Sequence, residues 1–94
     1  MIIYTLSGCK YCDELKRGLN KEGIGYTDVN VSNNDELGDK IEALYGCENY
    51  PMVALKYPQQ IVWIPQATLV HSPTIKMYTT IEYLINQIKN IHDN

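Results

Sequence analysis

The feature that most constrains this chain is a pair of cysteines, Cys9 and Cys12, in the stretch "GCKYC". Residues 1–5 are short, β-branched and aromatic, which predicts a buried strand just before the pair. After it, Cys12, Leu15 and Leu19 recur at spacings of three and four, as on the apolar side of an amphipathic helix. We therefore expect Cys9 where a strand gives way to a helix, and Cys12 one turn into that helix.

The remaining hydrophobic pattern predicts the order β-α-β-α-β-β-α in one domain spanning residues 1–94. Further strands are expected at residues 25–31, 50–57 and 61–64, and further helices at residues 32–46 and 79–91. The strand–helix–strand order at the start implies that the first two strands are parallel. The last two predicted strands, at residues 50–57 and 61–64, form a hairpin and are therefore expected to be antiparallel. The fold class is thus α/β, with a mixed four-stranded sheet flanked by helices. Residues 65–78 are ambiguous, and residues 67–72 within them could form an extra strand or a loop.

Charge and hydropathy argue against two classes of function, nucleic-acid binding and membrane spanning. The net charge of −3 gives no support for a nucleic-acid-binding surface. No stretch approaches the roughly 18 apolar residues of a membrane span, and the first apolar run is too short for a signal peptide. We expect a soluble, cytoplasmic monomer without a membrane or nucleic-acid partner.

The position of the cysteine pair predicts redox chemistry. Unsatisfied backbone N–H groups and the positive end of the helix dipole favour an anion at Cys9. The pKa of the Cys9 thiol is therefore expected to lie below that of free cysteine, with Lys10 adding positive charge nearby. Cys12 faces the apolar stripe and is expected to be buried and protonated. In this interpretation Cys9 attacks a disulfide and Cys12 resolves the mixed intermediate.

Two other interpretations of the pair stay open, a zinc site and an inert pair. A structural zinc site takes about four ligands, and only Cys47, His71 and His92 remain to complete one, so no metal is expected. Cys47 alone is more simply a small, semi-buried hydrophobe than a regulatory thiol.

Residues 2–31, together with "NYPMV" at 49–53, resemble a dithiol glutaredoxin. That family carries a strand, a C-P-Y-C active site, a helix, a second strand and later a T-V-P whose proline is cis. Pro51 matches this proline. The resemblance implies a thioredoxin-like fold, a cis Tyr50–Pro51 bond, and Cys9 and Cys12 as catalytic residues.

The resemblance also implies a glutathione site, built from Lys10, Tyr11, Tyr50, Pro51, Thr79 and Thr80. Tyr11 resembles the tyrosine that lines the glutathione groove. Tyr50 would offer its backbone N–H and C=O to the cysteinyl part of glutathione. The helix N-terminus at Thr79 and Thr80 would present amides to a carboxylate.

Three features of the sequence depart from the family pattern. Lys10 replaces the proline between the cysteines, and Leu6 replaces a basic residue three positions before the first cysteine. Lys76 and Met77 stand where the family has a Gly-Gly pair before the last helix, and bulky residues there are expected to narrow the groove.

The resemblance implies a dithiol–disulfide oxidoreductase that reduces protein disulfides or glutathione mixed disulfides through Cys9 and Cys12. It needs no tightly bound cofactor, and glutathione is the expected co-substrate. Its expected partners are glutathione or a flavoprotein disulfide reductase, and client proteins such as ribonucleotide reductase. The alternatives are a thioredoxin-like electron donor served by a flavoprotein reductase, and a non-catalytic thioredoxin-fold binding module or iron–sulfur carrier.

Overall fold

A computed structural model of the chain describes residues 1–55, 61–65 and 75–92. In chain order, these residues form β1 (Ile2–Thr5), α1 (Lys10–Lys21), β2 (Thr27–Asn30), α2 (Asp35–Tyr45), β3 (Met52–Leu55), β4 (Ile61–Pro65), β5 (Ile75–Tyr78) and α3 (Ile81–His92). Each predicted strand and helix is present, with ends that differ by a few residues. None of the described helices has the length and apolarity needed to cross a bilayer.

The strands form one mixed sheet in the order β2-β1-β3-β4-β5. β1 and β2 are parallel, as the strand–helix–strand start predicts, and β3 and β4 form the predicted antiparallel pair. Helices cover both faces, so the expectation of a thioredoxin-like fold is confirmed.

The sheet has five strands in the described residues, one more than the four predicted. The additional strand, β5, runs parallel to β4 and lies at the sheet edge. Its side chains alternate, with Ile75 and Met77 half-buried and Lys76 exposed between them, as an edge strand allows. Within the ambiguous stretch, Pro65 ends β4 and residues 75–78 form β5. Residues 66–74 lie outside the described part, and so does the choice between a strand and a loop at residues 67–72.

Apolar side chains fill both sides of the sheet. One cluster joins the sheet to α1 and α3 and includes Ile3, Leu15, Leu19, Val53, Trp63 and Leu84. The other joins the sheet to α2 and includes Ile41, Tyr45, Met52, Ala54, Val62 and Ile64. Cys12 belongs to this second cluster although it lies on α1. The first turn of α1 is therefore anchored in the core at the point where the cysteine pair stands.

Candidate active site

The two cysteines lie where the sequence predicts, at the junction between β1 and α1. Cys9 is the N-cap residue of α1, with extended backbone, and its sulfur accepts a hydrogen bond from the Cys12 N–H at 3.1 Å. A disulfide bond joins Cys9 and Cys12, whose Cα atoms are 5.2 Å apart. The capping role that Ser or Asp usually plays is thus taken by a sulfur atom.

The two sulfur-bearing residues differ in exposure, as expected. Cys9 is half-buried at the surface, whereas Cys12 is completely buried. A substrate can therefore reach Cys9 first. Once the pair is reduced, the amide that donates to the Cys9 sulfur stabilises a negative charge there, because hydrogen bonds to ionised acceptors are the stronger kind.

The loop before β3 contains the second predicted element of the site. The Tyr50–Pro51 bond is cis, as the resemblance implies, and Pro51 is buried. The Tyr78 hydroxyl donates a hydrogen bond to the Pro51 carbonyl at 2.6 Å, and the Tyr50 hydroxyl donates to Glu42 Oε1 at 3.1 Å. The proline loop is therefore tied to β5 and to α2.

The tyrosines that hold this loop have structural roles that the sequence does not predict. Burial, followed by the hydrogen bond to Glu42, raises the pKa of Tyr50 to about 12. Burial also raises the pKa of Tyr78. Glu42 is half-buried against Tyr50. The sequence gives no signal for these pairings, since their partners lie 8 and 27 residues apart.

A cleft of about 660 Å³ opens beside the first turns of α1 and α3. It brings together four of the predicted glutathione residues, namely Tyr11, Tyr50, Thr79 and Thr80. The other two are not among its lining residues, since Lys10 is exposed and Pro51 is buried. The cysteines do not line the cleft either, although Tyr11 stands between them in sequence.

Thr80 caps α3 at the edge of this cleft. Its side-chain oxygen accepts from the Tyr83 N–H at 3.0 Å, and its carbonyl accepts from the Leu84 N–H at 3.0 Å. Ile81 and Glu82, the first residues of the helix, also line the cleft. The first N–H groups of a helix have no partner within it, so this end is suited to polar groups of a bound molecule.

The family model named "Glutaredoxin" matches residues 1–56, which include the disulfide and the cis-proline loop. The chain belongs to the glutaredoxin family. The predicted resemblance is thereby confirmed. Glutaredoxins are thiol–disulfide oxidoreductases, and with its close cysteine pair the chain is an enzyme of this class.

Two relatives extend this comparison. The chain is 28% identical over 71 residues to N-acetyl-S-hydroxy-L-cysteine reductase of Bacillus subtilis (strain 168), covering 76% of each protein. It is 42% identical over 36 residues to glutaredoxin 1 of Rickettsia bellii (strain RML369-C), covering 38% of this chain and 37% of the relative. No solved structure gave a significant match.

The cleft differs from the family expectation in its charge. Glu14 and Glu82 line it, and among its described lining residues there is no Lys or Arg. Neither glutamate is predicted as a site residue, because each looks like an ordinary acidic residue in the first turn of a helix. Lys76 and Met77, aligned with the family glycines, lie within β5 and are not among the lining residues.

Cys47 lies in the same apolar cluster as Cys12 and is 2% exposed. Its sulfur accepts a hydrogen bond from the Asn49 N–H at 3.3 Å. The interpretation as a buried hydrophobe therefore fits better than that of an accessible regulatory thiol. His71 lies outside the described residues, as does the side chain of His92. The described residues hold no group of three or more His, Cys, Asp or Glu arranged to bind a metal ion.

Proposed function

We propose that the chain reduces protein disulfides and glutathione mixed disulfides through Cys9 and Cys12. The observation that carries this proposal is the bonded pair at the start of α1, with one cysteine half-buried at the surface and the other completely buried. This arrangement supports an outer nucleophile and an inner resolving thiol.

The reaction proceeds in two exchanges. In the reduced protein, the Cys9 thiolate attacks one sulfur of the substrate disulfide, the substrate S–S bond breaks, and one substrate thiol leaves. The Cys12 thiol then loses its proton and attacks the Cys9 sulfur. The Cys9–Cys12 disulfide forms and the second substrate thiol is released. Two substrate sulfurs are thereby reduced and the cysteine pair is oxidised.

Glutathione is the proposed co-substrate that returns the pair to its reduced form. The shared cleft of Tyr11, Tyr50, Thr79 and Thr80 supports this assignment. The backbone of Tyr50 would pair with the cysteinyl part, and the start of α3 would hold a carboxylate. Lys10 would contribute charge next to Cys9, and the buried Pro51 would shape the loop.

A coupled assay tests the electron source. NADPH consumption is followed with a mixed-disulfide substrate, once with glutathione and glutathione reductase, and once with thioredoxin reductase. Turnover in the first system is the expected result. Turnover only in the second would replace glutathione with a flavoprotein reductase as donor. The absence of turnover in both, with an intact thiol pair, would favour a non-catalytic binding module. A protein client, such as ribonucleotide reductase, is assayed with the donor that works.

Single cysteine variants test the two roles. Cys9→Ser is expected to abolish every activity. Cys12→Ser is expected to spare glutathione-dependent turnover of mixed disulfides, which needs one thiol, but to stop reduction of protein disulfides. Cys47→Ala serves as the control, because its buried sulfur takes no part in the exchange and its rates should match those of the parent. Equal loss in both assays for Cys12→Ser would contradict the resolving role.

The Bacillus subtilis relative favours a second candidate function, reduction of a small cysteine sulfenic acid. In that reaction the Cys9 thiolate would attack the sulfenic sulfur, the S–O bond would break, and the departing hydroxide would take a proton from solvent and leave as water. Cys12 would then release the substrate thiol by forming the Cys9–Cys12 disulfide. Comparing rates of N-acetyl-S-hydroxy-L-cysteine and a glutathione mixed disulfide, each reacting with the reduced protein, separates the two candidates.

A further inference from the structure

The charge of the cleft bears on which disulfides the enzyme accepts. Glu14 comes from α1 and Glu82 from α3, so two separate elements each supply a carboxylate to the same cleft. Both residues are exposed and able to meet a ligand. The described lining of the cleft therefore carries two carboxylates and no basic side chain.

Among the described residues, neither Glu14 nor Glu82 forms an ion pair with a basic side chain. Lys16 is paired with Asp28 at 3.2 Å and with Asp13 at 3.7 Å. Lys10 is exposed next to Cys9 but is not one of the lining residues.

A negatively charged cleft favours substrates with positive charge around the disulfide and disfavours those with negative charge there. Glutathione carries two carboxylates and one ammonium group and is an anion at neutral pH. A peptide carrying Lys or Arg would therefore be favoured in the cleft over glutathione, which remains the proposed co-substrate. The exposed ring of Tyr11 adds a face on which a cation can stack.

We propose that the cleft selects disulfides in peptide segments that carry Lys or Arg beside the reacting cysteine. Its volume of about 660 Å³ is within the range of sites for drug-sized ligands and can take a few peptide residues. This inference rests on the proposed disulfide-reductase function and deepens it by naming the class of client.

A single-turnover experiment tests the selection without any electron donor. Three short peptides, with Lys, Gln or Glu on both sides of one cysteine, are prepared as mixed disulfides with 2-mercaptoethanol. Each reacts with the reduced protein, and release of the peptide thiol is measured after acid quenching. Each rate is divided by the rate of the same peptide with dithiothreitol, because neighbouring charge also changes the reactivity of the disulfide itself.

The expected order of normalised rates is Lys, then Gln, then Glu, with about a tenfold span at low ionic strength. The span should shrink in 1 M salt, where the Debye length falls to about 3 Å. Glu14→Gln/Glu82→Gln should remove most of the span. The control Glu36→Gln/Asp39→Asn also removes two negative charges, but from exposed positions on α2, and it should keep the span of rates.

The possible outcomes separate the disulfide-reductase function from the selection. No reaction with any peptide would overturn both of them. Reaction at equal normalised rates would overturn the selection and leave the function standing. A ranking that survives unchanged in Glu14→Gln/Glu82→Gln would likewise overturn the selection alone, because the cleft carboxylates would then not be its cause.

Discussion

The hydrogen bond from Tyr78 to the proline loop is the contact whose loss is most directly measurable. Tyr78 ends β5 and is 5% exposed, and its hydroxyl donates to the Pro51 carbonyl at 2.6 Å. The bond links residues 27 positions apart and ties the sheet edge to the loop beside the cysteine pair. Tyr78→Phe deletes the hydroxyl and keeps the ring.

The expected cost follows from the environment of the bond. Removing the donor leaves a buried carbonyl without its partner, which costs about 1–3 kcal/mol. Little apolar contact is lost, because the ring stays in place, so we expect a small cavity contribution. For a urea slope of about 1 kcal/mol/M, the low end of the usual range for small proteins, the unfolding midpoint should fall by about 1–3 M.

Urea unfolding of the oxidised protein measures this cost. The buried Trp63, which is 3% exposed, reports tertiary packing by fluorescence, and far-ultraviolet circular dichroism reports the helices. The two transitions should coincide if unfolding is two-state. Tyr83→Phe is the matched control, because Tyr83 is 45% exposed on α3 and loss of its hydroxyl should change stability by less than about 0.5 kcal/mol.

Two results would refute the assigned role of this hydrogen bond. One is a free energy of unfolding for Tyr78→Phe that stays within about 0.5 kcal/mol of the parent. The other is equal destabilisation of Tyr78→Phe and Tyr83→Phe. Either result would mean that water or another donor satisfies the Pro51 carbonyl, and that the proline loop does not depend on β5.

Three further changes test the packing, capping and ionisation described above. Leu84→Ala should cost about 2–5 kcal/mol in urea unfolding, because Leu84 is fully buried, whereas Leu44→Ala at a 68% exposed position should cost far less. Asn34→Ala should cost about 1 kcal/mol, since the Asn34 side chain accepts from the Leu37 N–H at 3.0 Å and caps α2; Asn34→Ser should recover most of it. The pKa of Tyr50 is raised from 10.0 to about 12, so its stabilising contribution is complete below pH 10 and is lost as pH rises through about 12. Urea midpoints between these pH values should fall less steeply in Tyr50→Phe, and an unchanged slope would contradict the assigned shift.

The parts of the fold predicted best from sequence are those with local signals. The cysteine spacing, the apolar stripe after Cys12 and the short β-branched runs each act within a few residues, so they predict the junction at α1 and the pairing of the first strands. β5 is not predicted, because "IKMY" is short and contains a lysine that an edge strand tolerates but a central strand does not. The family resemblance, rather than periodicity, predicts the cis bond at Pro51.

The residues of the site that sequence reasoning misses are those that act across long sequence distances. Nothing in the sequence around Tyr78 or Glu42 indicates a contact with the proline loop, and only the folded chain reveals their hydrogen bonds to it. Glu14 and Glu82 each suit the first turn of a helix, where acidic residues are favoured by the dipole. Their combined charge in the cleft depends on the packing that brings the starts of α1 and α3 to the same cleft, and no local sequence pattern predicts that packing.

The geometry separates the reactivity of the enzyme from its choice of substrate. The Cys9 sulfur is held by a backbone amide of α1, which is fixed by the helix and independent of the side chains in the cleft. In the proposed selection, the charge around the substrate is set instead by Glu14 and Glu82, which line the cleft. The basic residue that the family carries at the position of Leu6 is missing, and its absence would act in the same direction, against anionic thiols. Removing the two carboxylates should therefore change the ranking of peptides more than it changes the rate at which reduced Cys9 reacts with a neutral one.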